Sequence, residues 1–97
     1  MRVEWTDTAL AHLENIYTYI SQTSERYADA VVDKITARSI QIADFPFSGR
    51  KVPELDIEQI REIYEAPYRI IYYIKPDAIE VLAVIHSRQD ISDISSD

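Results

Sequence analysis

Two periodicities divide the chain. Between Leu10 and Ile42 apolar residues recur at the helical spacing, and from Ile60 to His86 they alternate or run together as strands do. Leu10, Leu13, Tyr17 and Ile20 are spaced by three, four and three, with Ile16 widening the stripe, which predicts one face of a helix. Thr6 and Asp7 supply an N-cap and an acidic first turn after a short extended opening, Arg2 to Trp5, and the helix is expected to run to about Gln22. Thr23 and Ser24 can cap a second helix, with Tyr27, Val31, Ile35 and Ile42 at roughly helical spacing and the charged residues mostly elsewhere. The two helices form a hairpin. The second must stop before Phe45-Pro46, because proline disfavours a helical conformation at the residue before it and has no N–H to donate. A structured loop is expected next, in which Gly49, the only glycine, takes a backbone conformation that a residue with a Cβ would resist.

Three strands are predicted after that loop: Ile60 to Tyr64, Tyr68 to Lys75 and Ile79 to His86, each rich in β-branched or aromatic residues. The joins Glu65-Ala66-Pro67 and Pro76-Asp77-Ala78 are short enough for hairpins, so the three form an antiparallel meander. The fold class is therefore α+β: an N-terminal short strand, a helix hairpin and a three-stranded antiparallel meander, in one domain over residues 1–90. An acidic tail occupies 91–97, and the polar stretch from Ser87 onward is expected to fray. Alternation assigns Ile70, Tyr72, Ile74, Ile79, Val81, Ala83 and Ile85 to the face under the helices. Arg61, Ile63, Arg69, Ile71, Tyr73, Lys75, Glu80, Leu82, Val84 and His86 fall on the other face. Two helices cover one side only, so Ile63, Ile71, Tyr73, Leu82 and Val84 are expected to form an apolar patch framed by charges, the mark of a binding surface. The alternative is that the loop from Phe45 to Pro53, or the C-terminal tail, folds across it.

Composition narrows the chemistry. A chain of 97 residues, 46% hydrophobic and 28% charged, has the balance of one globular domain. It has no cysteine and two histidines, so no disulfide framework or thiolate metal site is available, and neither metal nor cofactor is expected. Charged residues interrupt the first twenty positions, which excludes a signal peptide there and makes the cytoplasm the expected location. The longest apolar runs, Ile70 to Ile74 and Val81 to Ile85, are far too short to span a bilayer. Ten basic against seventeen acidic residues give a net charge of -7, and such a field repels a nucleic-acid backbone. Polynucleotide binding would need a local basic patch, and Arg50-Lys51 is the only adjacent basic pair.

Several segments, in order, resemble the ParE branch of the ParE/RelE toxins of type II toxin-antitoxin and plasmid-stabilisation systems. They are Val3-Glu4-Trp5-Thr6, Tyr17-x-x-Ile20, Phe45-Pro46-Phe47-Ser48-Gly49-Arg50, Tyr68-Arg69-Ile70-Ile71-Tyr72 and Val84-Ile85-His86-Ser87-Arg88. The resemblance covers residues 1 to about 90. It implies the ParE/RelE toxin fold and a toxin neutralised by a cognate antitoxin in a hetero-oligomer, with ParE members acting on DNA gyrase and RelE members cleaving mRNA on the ribosome.

The branches differ in the chemistry they need. Cleaving RNA through its 2′-hydroxyl takes a base, an acid and cationic stabilisation of the phosphorane. The resemblance implies Glu54 as base, Arg69 as phosphate clamp and His86 as acid in a ribonuclease, with Arg61 able to assist. Against that stand the acidity of the chain and the lack of an aromatic residue after Tyr73, since ribonuclease members often end in one. The leading expectation is a non-enzymatic gyrase inhibitor, with Arg69, His86 and Arg88 contacting the target and Ile71, Tyr73 and Leu82 contacting the antitoxin. A degenerate, non-toxic partner-binding module is the third reading. Each residue also has a bland role: Arg69 can pair with Glu62 or Glu65 across the hairpin, His12 can be a boundary residue, and Arg50-Lys51 a solvated turn. Members of this group are often basic with acidic antitoxins, so the acidity here is a departure from the pattern.

Overall fold

Thr6 joins the two halves of the molecule. Its Oγ1 accepts from the Ala9 amide at 3.1 Å, capping the first helix, and donates to the Val81 carbonyl at 3.0 Å, fixing the helix start to a strand 75 residues away. The computed structural model describes residues 1–93, so Ile94 to Asp97 of the expected acidic tail lie outside the described residues. In chain order the elements are β1 (Arg2–Trp5), α1 (Asp7–Ser21), α2 (Glu25–Asp44), a 3-10 turn (Pro46–Ser48), β2 (Arg50–Lys51), β3 (Ile60–Glu65), β4 (Tyr68–Ile74), β5 (Ala78–His86) and a second 3-10 turn (Ile91–Asp93). The α+β class and the helix hairpin are as expected from the sequence. Ser24 caps α2 by accepting from the Tyr27 amide, and α2 ends at Asp44, just before Phe45-Pro46.

The meander is the centre of a larger sheet, ordered β1-β5-β4-β3-β2. β1 adds to β5 in parallel, and β2, expected as loop, pairs antiparallel with β3 through Arg50 opposite Glu62 and Lys51 opposite Arg61. β1 is the expected N-terminal strand, Arg2–Trp5, whereas β2 is only two residues long, too short to carry an alternation that could be recognised in isolation.

Both faces of the sheet are covered. Under the helices, Ala9, Ile35 and Ile42 meet Ile63, Ile70, Tyr72, Ile79, Val81 and Val84, with Leu13, Ile16 and Val31 packed around them. On the opposite face Val52 joins Ile71, Ala83 and Ile85, flanked by Ile60, Leu82 and Ile91. The expected open apolar patch is therefore closed, by Val52 from the loop and Ile91 from the C-terminal segment. Fully burying a side chain of the size of Val52 is worth roughly 1.5–3 kcal/mol, and Ile91 adds a partly buried contact. The segment after β5 does not fray before Ile91: the Ser87 amide donates to the Pro67 carbonyl at 2.8 Å and the Gln89 amide to the His86 carbonyl at 2.9 Å.

Five expected facings are corrected. Ile63 pairs with Ile70 and Arg61 with Tyr72, which turns Ile63 and Arg61 to the helix side. In β5, Ile71 lies opposite Ala83 but Tyr72 opposite Val81, so Leu82 is a bulge. A single extra residue reverses the alternation beyond it. Val84 therefore faces the helices, while Ala83 and Ile85 face away.

Gly49 is required for a reason other than the expected one. Its φ of -78° and ψ of 160° are open to any residue. What a side chain there lacks is room: a Cβ would lie 2.5 Å from the Glu62 carbonyl oxygen and 2.6 Å from the Tyr72 hydroxyl. Gly49→Ala is expected to lower unfolding free energy by about 1–3 kcal/mol, the usual cost of overpacking, in a urea titration. A stability equal to wild type would contradict this close approach.

Candidate functional site

On the face away from the helices, one arginine gathers the functional candidates. Arg69 on β4 is 7% exposed. Its Nε donates to Glu62 Oε1 at 2.9 Å, Nη1 to Glu54 Oε2 at 2.9 Å and to the Gln89 carbonyl at 2.8 Å, and Nη2 to Glu54 Oε1 at 2.7 Å and Glu62 Oε1 at 2.6 Å. A guanidinium has five N–H donors, and all are spent. Glu62, itself buried, accepts from Arg50 Nε on its other oxygen at 2.8 Å. Glu54 also accepts the Ile91 amide at 3.1 Å. The expected pairing of Arg69 with Glu62 is thus present, while Glu65 pairs instead with Arg38 of α2 at 3.0 Å.

Local sequence explains the convergence. Glu62 stands directly opposite Ile71, two residues along β4 from Arg69, so its side chain reaches Arg69 diagonally on the same face, while Arg50 is its direct partner on β2. Glu54 follows Val52-Pro53, where the Leu55 and Asp56 amides both donate to the Val52 carbonyl and turn the loop back over the sheet. Burial of Val52 anchors that turn. The guanidinium beside it, above all through its hydrogen bonds, holds the Glu54 carboxyl down at about 2 against an ordinary 4.5, and the same two carboxylates raise the Arg69 guanidinium further. Glu54 is a poor proton acceptor at neutral pH in this state.

His86 is not part of this cluster. It pairs with Tyr68 across the hairpin, and the two rings meet edge to face with centroids 6.4 Å apart. Tyr68 belongs to the helix-side core, so His86 and Arg69 occupy opposite faces of the sheet. The expected trio Glu54, Arg69 and His86 is therefore divided, because neighbouring residues on β4 point to opposite sides. His86 borders a cavity of about 340 Å³ between α1 and the end of β5, together with His12, Asn15, Tyr19, Tyr68 and Gln89. His12 Nδ1 accepts from the Val84 amide at 3.1 Å, which places the ring proton on Nε2, and burial lowers the His12 pKa. The Arg88 amide donates to His86 Nδ1 at 3.2 Å, and both residues are exposed.

The remaining candidates separate by exposure. Ile71 is fully buried in the second core, so it offers no contact surface. Tyr73 is 38% exposed and Leu82 partly so. Arg61 lies on the helix side, bonded to the Gly49 carbonyl and to Glu58. One partner of Arg69, the Gln89 carbonyl, went unforeseen, since a main-chain acceptor leaves no residue-type signal. Among the described residues there is no group of three or more side chains able to hold a metal ion, and no helix long and apolar enough to cross a membrane.

The chain shares its fold with solved ParE and YoeB toxins. The chain has a TM-score of 0.73 to a structure described as the chromosomal ParDE toxin-antitoxin system of P. aeruginosa, at 21% identity over 89% of this chain and 95% of that one. Residues 3–91 match the family described as ParE toxin of type II toxin-antitoxin system, parDE, and the chain belongs to that family. It is 37% identical over 90 residues to "Putative toxin Y4kP" of Sinorhizobium fredii, covering 91% of this chain and 90% of that one. It is 30% identical over 87 residues to "Toxin RelE2" of Caulobacter vibrioides, covering 89% and 94%. It is a toxin of the ParE/RelE superfamily, a class that pairs with an antitoxin.

The sign of the Glu54 shift sets a pH test. A carboxyl whose folded value lies below its unfolded one stabilises the fold fully above pH 4.5, and that contribution is lost as pH falls toward about 2. Glu54→Gln is expected to be less stable than wild type at neutral pH, and to lose stability less steeply between pH 4.5 and 2. Urea titrations at stepped pH check this, and parallel slopes for the two proteins would count against the pairing. Arg69→Met, which strands two carboxylates, is expected to cost about 3–5 kcal/mol.

Proposed function

We propose that this toxin inhibits DNA gyrase by binding it, without chemistry of its own, and is held inactive by a cognate antitoxin in the cytoplasm. The observation that carries this reading is the closed account of Arg69. Its five donors are spent on Glu54, Glu62 and the Gln89 carbonyl, and both Glu54 oxygens on Arg69 and the Ile91 amide. A phosphate clamp needs free donors, and a general base needs a carboxyl that accepts a proton near the working pH. The net charge of -7 favours a protein target over ribosomal RNA as well.

In this reading Arg69 supports the site from inside, while His86 and Arg88, exposed at the end of β5, contact the target. Tyr73 and Leu82 are the candidates for antitoxin contact. The ribonuclease reading has its own support in the likeness to a protein named Toxin RelE2.

The test is supercoiling by purified gyrase with increasing toxin, heat-inactivated toxin serving as control. Inhibition by wild type is expected, with the dose needed raised about tenfold or more in His86→Ala/Arg88→Ala, the scale of an interface anchor. No inhibition by folded wild type, together with ribosome-dependent mRNA cleavage that Glu54→Ala and His86→Ala each abolish, would replace this proposal with the ribonuclease.

A further inference from the structure

β1 ends at Trp5, opposite Val81, so beyond that point the outer edge of β5 has no neighbouring strand. An unpaired edge is a liability that a fold must cover. Two side chains from the cap and first half of α1 do so here. The Thr6 hydroxyl donates to the Val81 carbonyl at 3.0 Å, and His12 Nδ1 accepts the Val84 amide at 3.1 Å, across 72 residues of chain.

That second bond fixes the chemistry of the ring. An imidazole nitrogen that accepts an N–H carries no proton itself, so neutral His12 holds its proton on Nε2. A second proton could go only to Nδ1, where it would meet the Val84 N–H. Protonation therefore breaks the tie between α1 and β5.

The surroundings offer the extra charge no relief. His12 is half-buried and borders the cavity between α1 and the end of β5. The other titratable groups facing it are Tyr19 on α1, Tyr68 on β4 and His86 on β5, and among the described residues that line the cavity there is no carboxylate, lysine or arginine. Glu14, the charged residue nearest in sequence on α1, borders the groove toward α2 instead, and Arg88, beyond β5, is exposed and does not line the cavity. Burial raises the Tyr68 hydroxyl above its ordinary 10 and keeps it neutral, and burial lowers the His12 pKa below its ordinary 6.5. An imidazolium at His86 would add like charge.

We infer that His12 is an acid-released latch between α1 and β5: neutral, it seals the strand edge at Val84; protonated, it lets that edge go and opens the cavity beside it. The sign follows from the lowered folded value. The stabilisation is whole above pH 6.5 and is lost as pH falls below 6.5 and through that folded value. Val84 lies two residues before His86, so release loosens the end of β5 that the gyrase reading gives to the target; that consequence rests on the gyrase reading, and the latch itself does not.

NMR of the full chain tests the latch with no partner present, so its failure is distinct from a failure to inhibit gyrase. At pH 7 the His12 ring nitrogens are expected to report the proton on Nε2. Between pH 7 and 5 the hydrogen-exchange protection factor of the Val84 amide is expected to fall about tenfold or more, the scale of one lost hydrogen bond, while that of Tyr72 in the central strand β4 stays within about twofold. These two readouts need no variant. His12→Asn places an amide oxygen where Nδ1 stands and cannot titrate, so its Val84 protection is expected to hold over the same range. His86→Gln removes the other titrating ring and is expected to leave the fall in place. A neutral His12 ring with its proton on Nδ1, or a Val84 protection factor constant from pH 7 to 5, overturns the inference. So does the same fall in His12→Asn, or its disappearance in His86→Gln.

Discussion

Arg69 cannot be buried alone. A guanidinium removed from water without partners costs more than a small domain has to spare, so everything around it must supply acceptors. Glu62 comes from the neighbouring strand, Glu54 from the loop before β3, and the Gln89 carbonyl from the segment after β5. Three separate pieces of chain thereby converge on one side chain. Val52 and Ile91 are carried with them onto Ile71, Ala83 and Ile85, and the second face of the sheet becomes a core. Two helices cover only one side; a polar hub and two short apolar contacts cover the other.

The same hub limits chemistry on that face. Its candidate base, Glu54, is held at about 2, its cation has no donor left, and the histidine that could serve as acid projects from the other side of the sheet. A different arrangement would be needed for acid–base work on RNA. Exposed surface lies elsewhere, at the end of β5, at Phe45 and Phe47, and along the helix hairpin. On α1 the charged residues are acidic only, Asp7 and Glu14, while α2 is nearly balanced, with Glu25, Asp29, Asp33 and Asp44 against Arg26, Lys34 and Arg38.

Much of the fold was legible because it rests on strong local signals. The caps Thr6 and Ser24, the helix stop at Phe45-Pro46 and the hairpin joins each have a residue-type mechanism, and each is found. The facing of the strands was not, because facing depends on register. Leu82 gives no sign in the sequence that it is a bulge, yet it reverses Ala83, Val84 and Ile85. Gly49 was recognised as special, but the Tyr72 hydroxyl that fills its side-chain space lies 23 residues away and could not be foreseen. At the site, Glu54 and Arg69 were singled out as a working pair; they do meet, as partners that neutralise one another. Grouping His86 with Arg69 failed because adjacent strand positions point apart, and Ile71 was expected at a surface that Val52 and Ile91 occupy.

The most direct measurement is the protonation of Glu54 itself, followed by carbon-detected NMR of its side-chain carboxyl as pH is lowered. A midpoint near 2 is predicted, since the carboxylate is held by Arg69 and the Ile91 amide. A midpoint at or above the ordinary 4.5 would mean that the carboxyl is free of Arg69 and able to act as a base, and the account of this face as a closed structural hub would be wrong.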